Sequence, residues 1–167
     1  DNYSAIQMKK LGILAVAVML LSSCCTSAPS FVKVEGGKFV SENYPSYFAG
    51  TNFWYGAILA SEGQGGDIER LEKELDILKE NGMTNLRVLV GGDGPHDQPV
   101  RIRPSLQKEP GVYNDTIFRG LDRLLAEMAE RDMKAVLYLN NSWEWSGGYG
   151  MYLEWAGVSK VILPSEV

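Results

Sequence analysis

The chain has 167 residues, with 16 Lys and Arg against 21 Asp and Glu, a net charge of −5, one His and two Cys. That balance offers no basic field for a phosphate backbone, so no nucleic-acid partner is expected. The two cysteines are adjacent, Cys24-Cys25, which excludes a disulfide framework or a C-x-x-C metal or redox motif built from this chain.

Met8-Lys9-Lys10 leads into eleven uncharged residues, Leu11 to Leu21, followed by Ser22-Ser23-Cys24. A basic start, a short apolar run and small residues at the exit predict a secretory signal, and the run is too short to span a bilayer. Leu21-Ser22-Ser23-Cys24 resembles the bacterial lipobox, which implies a lipid on Cys24, a membrane anchor through it, and a secreted protein at the outer membrane, cell surface or beyond. A plain signal peptide cleaved nearby is the alternative. Residues 1–23 are therefore expected to be upstream residues plus signal, 24–30 a Thr/Ser/Ala/Pro tether, and 31–167 the folded part.

Phe31 to Val40 alternates apolar and polar residues around Gly36-Gly37, a hairpin signal. Tyr47 to Phe53 reads as a short aromatic strand, and a Gly-rich loop from Glu62 to Gly66 leads to Asp67. From there the period changes. Ile68, Leu71, Leu75 and Leu78 share one helical face, Asp67 can cap the start, Glu69 and Lys73 are spaced as a supporting pair, and Asn81-Gly82 supplies the stop. Thr84 to Val90 reads as a strand. Gly91 to Asn114 has no periodicity and holds four of the seven Pro, which marks a long, functional or disordered loop. Asp115 to Asp132 is the clearest helix, with Ile117, Leu121, Leu124, Leu125 and Met128 as its stripe, and Lys134 to Asn140 is a further strand. Alternating strands and helices predict parallel strands joined by right-handed crossovers.

Ligands of parallel α/β folds bind at the carboxyl ends of the strands. Those ends read Asn52-Phe53-Trp54-Tyr55, Gly91-Gly92-Asp93 and Asn140-Asn141-Ser142-Trp143-Glu144-Trp145, so three of the four Trp are expected on one face. Indoles that cover a pyranose ring, beside amides that bond its hydroxyls, suit a sugar. Strand alternation puts Arg87 on the face of Asn85 and Leu89, opposite Leu86, Val88 and Val90. If that face is the barrel interior, Arg87 is buried and needs a carboxylate partner. His96 reads as a surface residue, and Asp93, Asp97 and Glu144 have no metal-loop spacing.

Four motifs, Gly50-Thr-Asn-Phe-Trp-Tyr-Gly56, Asn85-Leu-Arg-Val88, Leu139-Asn-Asn-Ser-Trp-Glu-Trp-Ser-Gly-Gly148 and Tyr152-Leu-Glu-Trp-Ala-Gly157, resemble bacterial β-mannanases of glycoside hydrolase family 5. The likeness runs from about Phe31 to Gly157, and the tail from Val158 to Val167 carries no motif. It implies a (β/α)8 TIM barrel that cleaves internal β-1,4 links of mannan or a related polysaccharide with retention, through two glutamates and without metal or cofactor. In the family these glutamates lie after the fourth strand, within an Asn-Glu pair, and at the end of the seventh. The chain contains no Asn-Glu pair, so it is expected to be an N-terminal fragment, inactive alone, with about three strands and two to three helices. The resemblance carries over Arg87 as the arginine that supports the nucleophile, and Trp54, Asn141, Trp143 and Trp145 as the wall of the substrate cleft. A family 5 β-1,4-glucanase and a non-catalytic carbohydrate-binding lipoprotein are the alternatives.

Length fits this reading. A barrel of eight units takes about 250 residues, three-eighths of that is about 94, and Tyr47 to Asn140 is 94 residues.

Overall fold

The computed structural model describes residues 31–42, 44–97, 100–158 and 166. The signal, the lipobox-like Cys24 and the tether fall outside them. The chain divides into two compact units, Asp1–Tyr47 and Phe48–Val167.

The described part of the first unit is a small antiparallel sheet of β1 (Lys33–Glu35), β2 (Lys38–Ser41) and β3 (Tyr44–Pro45). Val34 pairs with Phe39 across the turn, where Gly36 and Gly37 have φ of 56° and 76°. Two successive positive φ values match the twist of a two-residue hairpin, which is why the glycine pair announces it.

In the second unit, β4 (Gly50–Asn52) runs into a single helical turn, α1 (Gly56–Leu59), and then α2 (Ile68–Glu80). Asp67 caps α2, its Oδ1 accepting the Arg70 N–H at 3.0 Å, and Gly82 at φ 77° ends it. β5 (Asn85–Leu89) follows. The long loop behind it carries a hairpin, β6 (Gln107–Glu109) and β7 (Val112–Tyr113). Asn114 caps α3 (Asp115–Glu130), accepting the Thr116 N–H at 3.1 Å, and β8 (Lys134–Tyr138) comes next. A 3-10 turn at Glu144–Ser146 and α4 (Gly148–Trp155) complete the described elements.

β4, β5 and β8 form a parallel sheet in that order, with Asn52 beside Arg87 and Leu89 beside Tyr138. Leu71 and Leu75 of α2, Leu124 of α3, and Leu86 and Val88 of β5 are all 0% exposed and meet in one core with Phe53, Met128 and Met133. Each such aliphatic side chain contributes about 1.5–3 kcal/mol by leaving water. The helices thus cover one face of the sheet, as the alternating pattern predicts.

Three expectations change. The first strand is confined to Gly50–Asn52, the residues that register with β5, and Tyr47 stands 88% exposed. The ion pair on α2 is Arg70 with Glu74 at 2.7 Å rather than Glu69 with Lys73, because Glu74 is also fixed by the Tyr55 hydroxyl at 2.8 Å. The stretch Gly91–Asn114, expected to lack regular structure, holds the β6–β7 hairpin, turned at Gly111 with φ 78°. Strands of two and three residues are too short to show a period of two.

Candidate functional site

Arg87 lies mid-strand on β5, and the strand's alternation decides its direction. Leu86 and Val88 go into the helix-side core, so Arg87 goes to the opposite face, together with its register neighbour Asn52. Its Nη1 donates to Asn52 Oδ1 at 3.3 Å, and its guanidinium carbon lies 3.5 Å from the centroid of the Tyr138 ring. The direction is as expected, and the exposure fits a chain that holds about a third of its relatives' length. Arg87 is exposed, and among the described residues no carboxylate pairs with it. An amide and an aromatic face hold it instead. Stacking of this kind is worth about 0.5–1 kcal/mol.

Trp54, just past β4, and Trp145, in the turn after β8, meet edge to face with centroids 5.1 Å apart. Both are half-buried. Trp143 precedes that turn and is 55% exposed, with its indole outside this contact. Of the three tryptophans expected to gather, the structure joins two, while the third shares their loop. Trp155 belongs elsewhere, packed on Tyr152 at 5.4 Å.

Asn141 has a more local part than its amide suggested. Its Oδ1 accepts the Trp143 N–H at 2.8 Å and the Ser146 hydroxyl at 2.9 Å. The residue therefore shapes the Trp143–Trp145 loop, and the oxygen is already engaged there. Asn140 adds a second local clasp, with Oδ1 accepting the Asn141 N–H at 2.6 Å.

Asp93 stands out among the carboxylates. It is 5% exposed, its Oδ1 accepts from Gln107 Nε2 at 3.2 Å, and its Oδ2 is buried without a well-formed hydrogen bond. Burial pushes its pKa above the ordinary Asp value, against the opposing effect of the Gln107 amide and the Tyr152 hydroxyl. Tyr152 lies within electrostatic reach of the carboxylate rather than in a close, aligned bond to Oδ2, and its own pKa is raised by burial and by the Asp93 charge. Asp97 is exposed. His96 is half-buried rather than on the surface, its Nδ1 accepting the Ser105 N–H at 3.4 Å with the Ser105 hydroxyl at 3.0 Å. An acceptor role at Nδ1 places the ring proton on Nε2.

The parallel register could have placed Asn52 beside Arg87 from sequence, since both strands are legible there. Tyr138 and the Asp93–Gln107 pair had no such signal. The first depends on side-chain reach across β8, and the second on a hairpin that left no periodicity.

Three parallel strands in sequential order, helices on one face, and arginine, amide and indole groups around their carboxyl ends define part of a (β/α)8 barrel with a polar, aromatic site. The chain belongs to glycoside hydrolase family 5: the model of the GH family 5 beta-mannosidase-like group matches residues 29–167. It is similar to the solved glycoside hydrolase family 5 mannosidase of Rhizomucor miehei, with 41% identity and a TM-score of 0.74 over 80% of this chain and 33% of that one. The endo-1,4-beta-mannanase of the same organism aligns with 25% identity and a TM-score of 0.61, over 77% of this chain and 34% of that one. Mannan endo-1,4-beta-mannosidase 7 of Arabidopsis thaliana is 29% identical over 156 residues, 89% of this chain and 34% of the relative. The chain thus spans about one third of the length of the relatives it matches. The lipobox-based expectation of a bacterial source meets similarity here to fungal and plant proteins.

Proposed function

We infer that the chain is part of a retaining family 5 hydrolase that cleaves internal β-1,4-mannosidic bonds of mannan. The observation that carries this is Arg87: a central-strand guanidinium set by Asn52 and Tyr138 on the face away from the helices, with no carboxylate beside it among the described residues. In the family resemblance this arginine supports the nucleophilic glutamate. A fixed positive charge there would keep that carboxylate ionised and ready to attack the anomeric carbon. Retention further requires an acid/base glutamate about 5–5.5 Å from the nucleophile, and both glutamates belong to parts of the family barrel that this chain does not span.

Trp54, Trp143 and Trp145 would then offer indole faces to the mannose rings, with the Asn141 amide nitrogen as a hydroxyl partner. The Leu21–Cys24 motif supports secretion with a lipid on Cys24 and a bacterial origin. A second reading, removal of mannose from short mannosides, is favoured by the higher identity to the Rhizomucor miehei mannosidase than to its mannanase.

The test uses the longest polypeptide that the gene encodes, assayed on mannan, carboxymethyl cellulose and mannohexaose. Mid-chain products from mannohexaose support the internal-bond reading, and mannose alone supports the second. Activity confined to cellulose would overturn both.

A further inference from the structure

The loop behind β5 and the loop behind β8 are stitched together at Asp93. Its N–H donates to Ser146 O at 2.9 Å, and nearby the Ile102 N–H donates to Trp145 O at 2.7 Å. Gly147 lies so close that a Cβ there would collide with the Asp93 carbonyl oxygen, and its φ of 91° disfavours any other residue. The backbone of the Trp145 turn therefore rests directly on Asp93.

The side chain adds a second tie. Gln107 Nε2 reaches Oδ1, while Gln107 Oε1 accepts the Gly111 N–H at 2.7 Å, so the carboxylate is joined to the β6–β7 turn. The Tyr152 hydroxyl of α4 lies within electrostatic reach of the carboxylate and also interacts with Asn140, two residues past β8. One buried carboxylate thus links the hairpin, α4 and the strand end from which the indole-bearing loop departs. A carboxylate with one oxygen lacking a hydrogen bond is a costly way to fill such a space, so the residue needs a reason beyond packing.

We propose that Asp93 is a positioning residue for saccharide binding: its carboxylate, between Gln107 and Tyr152, fixes the Asn140–Trp145 loop so that Trp145 meets Trp54. It touches no substrate and acts through the loop. The proposal rests on the mannan-hydrolase reading for its kinetic readout, though not for its structural one.

The experiment compares wild type, Asp93→Ala, Asp93→Asn and Tyr152→Phe in the longest encoded polypeptide, on mannohexaose. Asp93→Ala should raise KM about tenfold with kcat held within about threefold. Asp93→Asn, which keeps an acceptor for Gln107, should restore KM to within about threefold of wild type. Tyr152→Phe should raise KM while sparing kcat. An unchanged KM in Asp93→Ala, a loss confined to kcat, or no rescue by Asn would overturn the proposal. If Asp93→Ala fails to fold, Tyr152→Phe decides by the same criterion.

Acrylamide quenching of tryptophan fluorescence in the same proteins separates this inference from the one beneath it. A wild type that cleaves no mannoside sinks the functional reading alone. Quenching that increases in Asp93→Ala and returns in Asp93→Asn still supports Asp93 as the loop's anchor, and quenching unchanged in Asp93→Ala removes that support.

Discussion

Arg87 and Asp93 divide stability and function in opposite ways. Arg87 is exposed and held by one long hydrogen bond and a ring, so its replacement should move stability by about 1 kcal/mol or less. If its charge supports a nucleophile, Arg87→Ala should lower kcat/KM on the order of 10²-fold, as removal of a site's charge-stabilising donor does. Thermal melting beside mannan kinetics checks both, and a variant as active as wild type would remove Arg87 from the mechanism. For Asp93 the sign follows from its raised pKa. Stability linked to the protonated form is fully present below the unfolded value of about 3.9. It is lost as pH rises through the higher folded value. The Tm advantage of wild type over Asp93→Asn should therefore shrink across that window, and an advantage that grows with pH would contradict the burial-driven shift.

At the scale of elements, α2 and α3 are held to the sheet by Leu71, Leu75 and Leu124, all fully buried, and joined at their C-terminal ends through Arg131. Arg131 bonds Asp76 at 2.7 Å and Glu127 at 2.8 Å, and Lys79 donates to its carbonyl at 2.6 Å. Asp76 is 59% exposed, so that pair adds little beyond the packing. Denaturant titration of Leu124→Ala should show a loss of about 2–5 kcal/mol, against about 1 kcal/mol or less for Asp76→Ala. Gly147→Ala, which combines a positive φ with contact on Asp93, should cost about 1–3 kcal/mol and raise KM with it.

What could be read in advance was set by periodicity. Ile68–Leu78 and Ile117–Met128 repeat at helical spacing, and Asp67 and Asn81-Gly82 mark the ends of the first helix, so α2 and α3 were legible to within a residue or two. The direction of Arg87 followed from its neighbours on β5. Its exposure fits a chain that spans about one third of its relatives' length, whereas its partner Tyr138 was not legible, because alternation fixes a face but not which neighbour reaches across it. The role of Asn141 in shaping its own loop, and the Asp93–Gln107 tie, depend on loops meeting across the sheet end, which no local spacing encodes.

For the whole molecule, the three strands, two covering helices and site residues make a coherent part of a family 5 barrel, and the proposed function puts the acid/base and nucleophile outside the third of the relatives' length that the chain spans. The 167 residues by themselves should therefore release no sugar from mannan, and any such release would contradict the assignment of catalysis to the missing glutamates. The central claim is that this arrangement serves a retaining mannan hydrolase. Its most direct test is proton NMR of mannohexaose hydrolysis by the longest encoded polypeptide, following the anomer formed before mutarotation. The account predicts that the β-anomer appears first, as retention through a glycosyl-enzyme requires. First appearance of the α-anomer, or no cleavage of a β-mannoside at all, would contradict it.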